Sequence, residues 1–309
     1  MFSFVRRRMY TSALPLIIVL LGVFLLARLT GDPTSLYLPE SATADQRAAF
    51  AAKNGFDQPV LTQLGEYFKG VLHLDFGTSL RTGEPASTMA LRAFPATLQL
   101  AFTTMLLSIV LAVIIGCWAA YRPNSLADRF SSLLSMTAAS IPDFWFAITG
   151  VWLFSVLLGV LPTSGVDAGV LSWILPIATL MIRPLGVLTQ VVRGAMVSAL
   201  SAPYVRLARS KGASDLRVVT HHALRNAAAP ALTVAGDLAV GLINGAVVVE
   251  AIFGWPGIGK LMIDAILQRD FAVLQAAVLL TAVSIFALNI FIDACYALLD
   301  ARVREPVTV

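Results

Sequence analysis

Long apolar runs alternate with short polar connections along most of the chain. A helix needs about 20 mostly apolar residues to cross a bilayer, at about 1.5 Å of rise per residue. Six stretches reach that length: 10–29, 96–120, 131–160, 172–192, 229–252 and 274–298. The pattern predicts an all-α, polytopic membrane protein with six transmembrane helices. Residues 30–95 break the rhythm and are too few for a large core of their own. Within them, 43–54 (TADQRAAFAAKN) reads as a short helix stopped by Gly55. Residues 60–72 place Val60, Leu61, Leu64, Tyr67, Phe68, Val71 and Leu72 on one helical face. That face is expected to lie on the membrane or on the spans. Three parts follow: 1–29 as an N-terminal segment with the first span, 30–95 as an outer helical insertion, and 96–309 as a five-span core. The core carries a basic loop at 193–228, and no tandem repeat of 20–50 residues is visible.

Composition agrees with a lipid solvent. The 309 residues are 58% hydrophobic and 13% charged, where soluble domains run near 45–50% and about 25%. An ordinary soluble enzyme, a disordered chain and a disulfide scaffold are excluded. Cys117 and Cys295 sit inside apolar runs and read as small core residues. Arg6, Arg7 and Arg8 precede the first apolar stretch, as in a secretory signal. That stretch is longer than a signal core of about 7–15 residues, and the nearest small-residue triplet, Ala42-Thr43-Ala44, comes well beyond its end. It reads as a retained span.

The net charge of +4 bears on orientation before nucleic acid. With the N-terminus inside, Arg6, Arg7, Arg8, Arg122, Arg129, Arg193, Arg206, Arg209, Lys211, Arg217, Arg225, Arg302 and Arg304 all fall on the inner side, 13 of the 22 basic residues. The short outer connection 161–171 has none. Six spans then return the C-terminus to the cytoplasm.

Residues 254–260, G-W-P-G-I-G-K, have the spacing of a phosphate-binding loop. Leu261 stands where such a loop needs a Ser or Thr hydroxyl for Mg²⁺, and the segment follows a span instead of a strand. It reads as a tight outer re-entry, in which Gly254, Gly257 and Gly259 permit unusual backbone angles and Pro256 fixes one. His221 and His222 are adjacent on a helix and make a poor metal pair. No catalytic arrangement and no metal site are expected.

The segment 204–226, YVRLARSKGASDLRVVTHHALRN, is the most telling. A helix through Arg209 would break at Gly212 and restart with Ser214 or Asp215 as N-cap. Leu216, Val218, Val219 and Leu224 lie among Arg217, His221 and Arg225. Such a knuckle can seat apolar side chains in a partner's groove while its charges hold the rim. It can equally be a basic loop that only obeys the orientation rule.

An ordered set of motifs then runs nearly end to end. They are Gly31-Asp32-Pro33; Gly55-Phe56-Asp57-Gln58-Pro59 with Gln63 and Tyr67; Phe76-Gly77-Thr78-Ser79; Pro95-Ala96-Thr97-Leu98; and Ser140-Ile141-Pro142. After them come Tyr204-Val205-Arg206 with Ala208-Arg209-Ser210-Lys211-Gly212, and His222-Ala223-Leu224-Arg225-Asn226 with Pro230. The last are Glu250-Ala251-Ile252-Phe253, Pro256-Gly257-Ile258-Gly259, Arg269-Asp270-Phe271, Asn289 and Asp293. In these the chain resembles the permease subunits of bacterial ABC importers, in particular the first permease of the dipeptide/oligopeptide/nickel branch.

The resemblance implies a type I importer permease fold in the bacterial inner membrane. It implies that 204–226 is the coupling loop that docks on a separate ATPase. Ala208 and Gly212 fall on the family's signature Ala and Gly, and Leu224 on its Leu. Ser214, Asp215, Leu216 and Arg217 form the tip. Arg225 replaces the proline of the broader superfamily. The implied partners are a second homologous permease, two cytoplasmic ATPase subunits and a periplasmic solute-binding protein. ATP and Mg²⁺ would be held by those ATPases, with no cofactor on this chain. The implied cargo is a peptide or a related small solute: a nickel chelate, opine, glutathione or oligosaccharide. A stand-alone ion-coupled carrier is the alternative class; those commonly show inverted repeats.

Ionisable side chains inside the membrane cost at least about 2.5–3.5 kcal/mol, so they face an interior path or one another. Asp143, Arg183 and Asp237 sit at such depth, with Asn244 two turns outward of Asp237. Small or apolar residues are commoner there in the resembling family. Arg183 either faces the path and favours an anionic group, or pairs with Asp143 or Asp237. Pro142 and Pro184 can break their helices locally. Glu250 and Asp293 read as interfacial pairing or capping residues, or as gate contacts.

Overall fold

The computed structural model describes residues 15, 17–25, 38, 41–79 and 81–299. Its helices are α1 (Ala44–Lys53), α2 (Val60–Leu72), α3 (Ala86–Tyr121), α4 (Leu126–Ser140), α5 (Asp143–Gly150) and α6 (Leu171–Leu200). They continue as α7 (Pro203–Ser210), α8 (Asp215–Arg217), α9 (Leu224–Phe253), α10 (Ile258–Gln268) and α11 (Phe271–Leu299). A π-helical stretch, Val151–Leu157, extends α5, and another, Val218–Ala223, joins α8 to α9. Among the described residues the only β pairing is an isolated bridge between Thr78 and Pro85. The chain divides into two units, residues 1–95 with 256–287 and residues 96–255 with 288–309.

In the first unit, Thr43 opens α1 with a capping box. Its hydroxyl accepts from Gln46 N at 3.3 Å, and the Gln46 side-chain oxygen accepts from Thr43 N at 3.0 Å. Gly55 ends the helix at φ +68, and Phe56 N donates back to Ala51 O at 2.8 Å. Helix α2 is the predicted amphipathic one, yet none of its residues is fully buried. Leu61 and Leu72 stay exposed, while Tyr67 stacks on Phe24 with ring centroids 5.4 Å apart. Burial pushes the Tyr67 hydroxyl up to about 12. Two of the sequence motifs meet here. Buried Ser79 donates its hydroxyl to the buried Asp270 carboxylate, whose other oxygen accepts from Val273 N at the start of α11. Ala86, Ala90, Ala265, Val273 and Ala276 form the adjoining apolar cluster.

The expected spans fare differently. Four described helical stretches are long and apolar enough to cross a membrane: Ala86–Tyr121, Leu171–Leu200, Asp215–Phe253 and Phe271–Ile292. The predicted span 131–160 is instead two helices bent by 104° between Asp128–Ala138 and Asp143–Leu157. Ile141 and Pro142 adopt extended backbone there, with ψ 124 and 139. Proline disfavours the helical region for the residue before it, which fits a sharp break instead of a gentle kink. Pro184 does not break its helix: it lies buried inside an uninterrupted α6. A proline deletes one internal hydrogen bond, and packing on both sides can hold the helix across that gap. Of the first predicted span only residues 15 and 17–25 are described, and they are helical. The remainder of 10–29, and both chain ends, lie outside the described residues.

The second unit is built on α6 and α9. Leu175, Leu180, Leu185 and Leu188 of α6 join Ala235, Leu242, Ala246 and Val249 of α9 in one buried cluster with Leu100, Met105 and Ala112 of α3. Helix α4 is drawn against α6 at Gly186, where a Cβ would come within 2.5 Å of Ala138 Cβ. The Ser135 hydroxyl donates to Gly186 O at 2.7 Å across the same contact. Nearby, Arg193 of α6 grips Asp128 of α4 with two hydrogen bonds, Nη2 to Oδ2 at 2.9 Å and Nε to Oδ1. Asn124 N also donates to that carboxylate at 2.8 Å.

Candidate coupling loop and membrane-depth polar face

The basic segment folds as its sequence predicts. Pro203 occupies the first turn of α7, a position that needs no backbone N–H. The helix ends at Gly212, φ +82, with Gly212 N donating to Arg209 O at 2.9 Å and Ala213 N to Ala208 O at 3.1 Å. This is a Schellman stop, and its left-handed residue strains any side chain. A Cβ at Gly212 would meet nothing within 4 Å, so the demand for glycine comes from the backbone alone. Ser214 takes the N-cap backbone of α8, φ −64 and ψ 153, without a side-chain cap bond. Asp215 follows in the first turn and pairs loosely with Arg209 at 3.8 Å, both exposed.

Burial divides this segment sharply. Val205, Ala208, Val218 and Ala223 are buried. Val219 and Leu224 pack against a cluster made by Ala120 of α3, Val192 and Met196 of α6 and Ala227 of α9. Ala208 and Leu224 therefore serve as anchors in the chain itself. The outward side chains are Tyr204, Arg206, Leu207, Arg209, Lys211, Leu216 and Arg217, and Leu216 is 75% exposed. The loop's own apolar residues are thus seated among the long helices.

The membrane-depth residues do not form an ion-paired cluster. Among the described residues no ion pair within 4.0 Å joins Asp143, Arg183 and Asp237. Arg183, Asp237 and Asn244 are exposed, and Asp143 is half-buried at the start of α5. The Asp143 carboxylate lies 3.7 Å from the point where a Gly245 Cβ would stand, and Arg183 is near enough to act on it electrostatically. On α9 the exposed positions Pro230, Thr233, Asp237, Gly241, Asn244 and Val248 share one face at helical spacing. The opposite face of α9 carries the buried Ala235, Leu242, Ala246 and Val249.

At the far end of α9, Glu250 is fully buried and Gly254 takes φ +63. Phe253 O accepts from Gly165 N at 2.8 Å, tying the loop after α5 to this end. Trp255, which the sequence reading passed over, is 3% exposed. Its indole N–H donates to Ala96 O at 3.0 Å, and its ring meets Trp173 edge-on at 4.6 Å. Gly257 and Gly259 do not use left-handed angles: Gly257 is the extended N-cap of α10, and Gly259 is helical. Pro256 precedes them with no cis bond. Lys260 pairs with Asp264 one turn on, as a solvated helix face would, and no strand precedes the loop. The side chain of Asp293 lies outside the described residues.

Comparison with known proteins matches residues 112–305 to the family model described as binding-protein-dependent transport system inner membrane component. A relative in Brucella abortus (strain 2308), named as a peptide transport system permease protein, is 36% identical over 297 residues, 94% of each chain. The glutathione transport system permease protein of Salmonella typhimurium is 37% identical over 308 residues, 98% of this chain and 99% of its own. Among solved structures, an inward-facing MetNI methionine ABC transporter chain aligns with a TM-score of 0.56 and 17% identity. That alignment covers 69% of this chain and 96% of the other, and an amino acid ABC transporter aligns with a TM-score of 0.53. The chain belongs to the family of binding-protein-dependent transport system inner membrane components.

Proposed function

From that membership we propose that the chain is the first permease of a peptide importer, paired with a second permease of the same fold. Two ATPases outside this chain bind ATP and Mg²⁺ and dock on residues 204–226, which face the cytoplasm together with both termini. A periplasmic binding protein delivers the cargo. The chain itself performs no chemistry; it turns closure of the ATPases into alternating access by rigid-body rocking of its helices. The observation that carries this reading is the division within the knuckle. Buried Val205, Ala208, Val218 and Ala223 fasten it to the long helices, while Leu207, Arg209, Leu216 and Arg217 project without burial. An apolar tip ringed by cations is suited to a groove on a protein partner. The peptide assignment is supported by the names of the two relatives.

Tagged chain purified from cells producing the whole transporter is expected to bring down its ATPases. Leu216→Asp is expected to cut that recovery at least about tenfold, since a buried interfacial charge without a partner costs well over 1.4 kcal/mol. Unchanged recovery, or labelling of Leu216→Cys by an impermeant reagent added to the outside of intact cells, overturns the assignment.

A further inference from the structure

The tip of the knuckle is weakly fixed by its own stretch of chain. Helix α8 is three residues long, and its N-cap, Ser214, makes no side-chain cap bond. A helix that short has no stability of its own and depends on what surrounds it. Asp215, its first residue, reaches two other segments. Its Oδ1 lies 3.8 Å from Arg209 Nη2, in the last turn of α7. The Tyr121 hydroxyl, on the last residue of α3, donates a hydrogen bond to the same carboxylate. Arg209 also acts electrostatically on that hydroxyl, which places the three groups together. Ala120, the neighbour of Tyr121, is buried in the cluster against which Val219 and Leu224 pack, so the end of α3 is a fixed point beside the knuckle. An exposed ion pair alone is worth little, because two long mobile side chains share it. A half-buried tyrosine on a long helix is the stiffer partner, with only two rotatable side-chain angles. Leu216, 75% exposed, directly follows the residue so held.

We propose that Tyr121 is a positioning residue for ATPase docking: its hydroxyl and the Arg209 guanidinium hold Asp215, and so give the exposed tip, Leu216 and Arg217, one orientation before the ATPase arrives. A tip left unheld must lose its conformational freedom on docking. A tip already set therefore binds more tightly without adding a contact. Tyr121 touches no partner subunit in this arrangement; it acts through Asp215. If Asp215 instead met the ATPase directly, the Tyr121 hydroxyl would not matter to docking. The inference rests on the importer reading above and adds what keeps its docking surface in shape.

The test uses the full permease pair in lipid nanodiscs, titrated with its own purified ATPase subunits at fixed ATP and Mg²⁺. Two quantities are read: the ATPase concentration that gives half-maximal stimulation of phosphate release, and the limiting rate at saturation. Tyr121→Phe keeps the ring and removes the hydroxyl. It is expected to raise the half-saturating concentration about three- to tenfold, the worth of one hydrogen bond, and to leave the limiting rate within about twofold. Asp215→Ala is expected to raise the half-saturating concentration at least as much. Tyr121→Phe added to Asp215→Ala is expected to raise it no further, because both remove the same contact. Asp215→Asn keeps an acceptor for the hydroxyl and is expected to recover part of the loss. An unchanged half-saturating concentration in Tyr121→Phe overturns the inference, while stimulation by the wild type leaves the importer reading standing. A lower limiting rate at unchanged half-saturation would mean a merely structural role and also overturns it. So do independent, additive losses, which would make Tyr121 and Asp215 separate contacts. If the wild-type pair neither binds nor stimulates the ATPases, the importer reading and this inference fall together.

Discussion

Helices α3 and α9 each bury one face in the same core and leave the other uncovered, but the uncovered faces differ in kind. On α3 it is Leu98, Phe102, Leu106, Val110, Ile114 and Trp118. On α9 it is Pro230, Thr233, Asp237, Gly241, Asn244 and Val248. Lipid tails can solvate a face of the first kind without any polar partner. The second presents a carboxylate and an amide, which hydrocarbon cannot satisfy. Exposure alone therefore does not mark a functional surface in a membrane chain. The chemistry of what is exposed is the better guide: the α3 face is of the kind a bilayer accepts, and the α9 face of the kind that suits a protein or aqueous path.

The sharpest way to break this contrast is to place the same charge on both helices. Val110→Asp is expected to lower the stability of the inserted chain by about 3 kcal/mol, the insertion cost of a carboxylate near the midplane. Gly241→Asp, at similar depth and with nothing within 4 Å of its Cβ position, is expected to cost under about 1 kcal/mol in the assembled transporter. Unfolding in bicelles measures both, and equal losses would make the two faces alike. A smaller effect separates two exposed glycines. Gly212→Ala is expected to cost about 1 kcal/mol through its left-handed backbone and to slow ATP-driven uptake, whereas Gly241→Ala, inside a helix with open space at its Cβ position, is expected to stabilise by about 0.5–1 kcal/mol. The smallest shift in stability is expected for Asn244→Leu, within about 0.5 kcal/mol for the single chain. Peptide uptake should nonetheless fall severalfold. A stabilised, fully active variant would return α9's exposed face to the lipid.

Much of the architecture is visible in the one-dimensional pattern. The helical stop at Gly212, the start at Ser214 and the capped helix after Thr43 are local, because a turn needs only neighbouring residues and their backbone preferences. Pro142 and Pro184 show where local rules stop being sufficient. Both invite a break, yet only Pro142 makes one, while Pro184 is held straight among buried neighbours in α6. The third span was accordingly expected as one helix and is two.

Pairings across the chain could not be read from spacing. Ser79 with Asp270, Asp128 with Arg193, and Trp255 with Ala96 and Trp173 join residues far apart in sequence. The motif order contained Ser79 and Asp270 but held no sign that they meet. Hydropathy and turn chemistry act over a few residues, so the apolar runs, the helices they form and the basic knuckle are legible in one dimension. Which side chains anchor that knuckle, which proline bends its helix, and which face of α9 stays uncovered were decided only by tertiary packing. Those outcomes depend on how distant helices fill one another's surfaces, and no local window contains both partners.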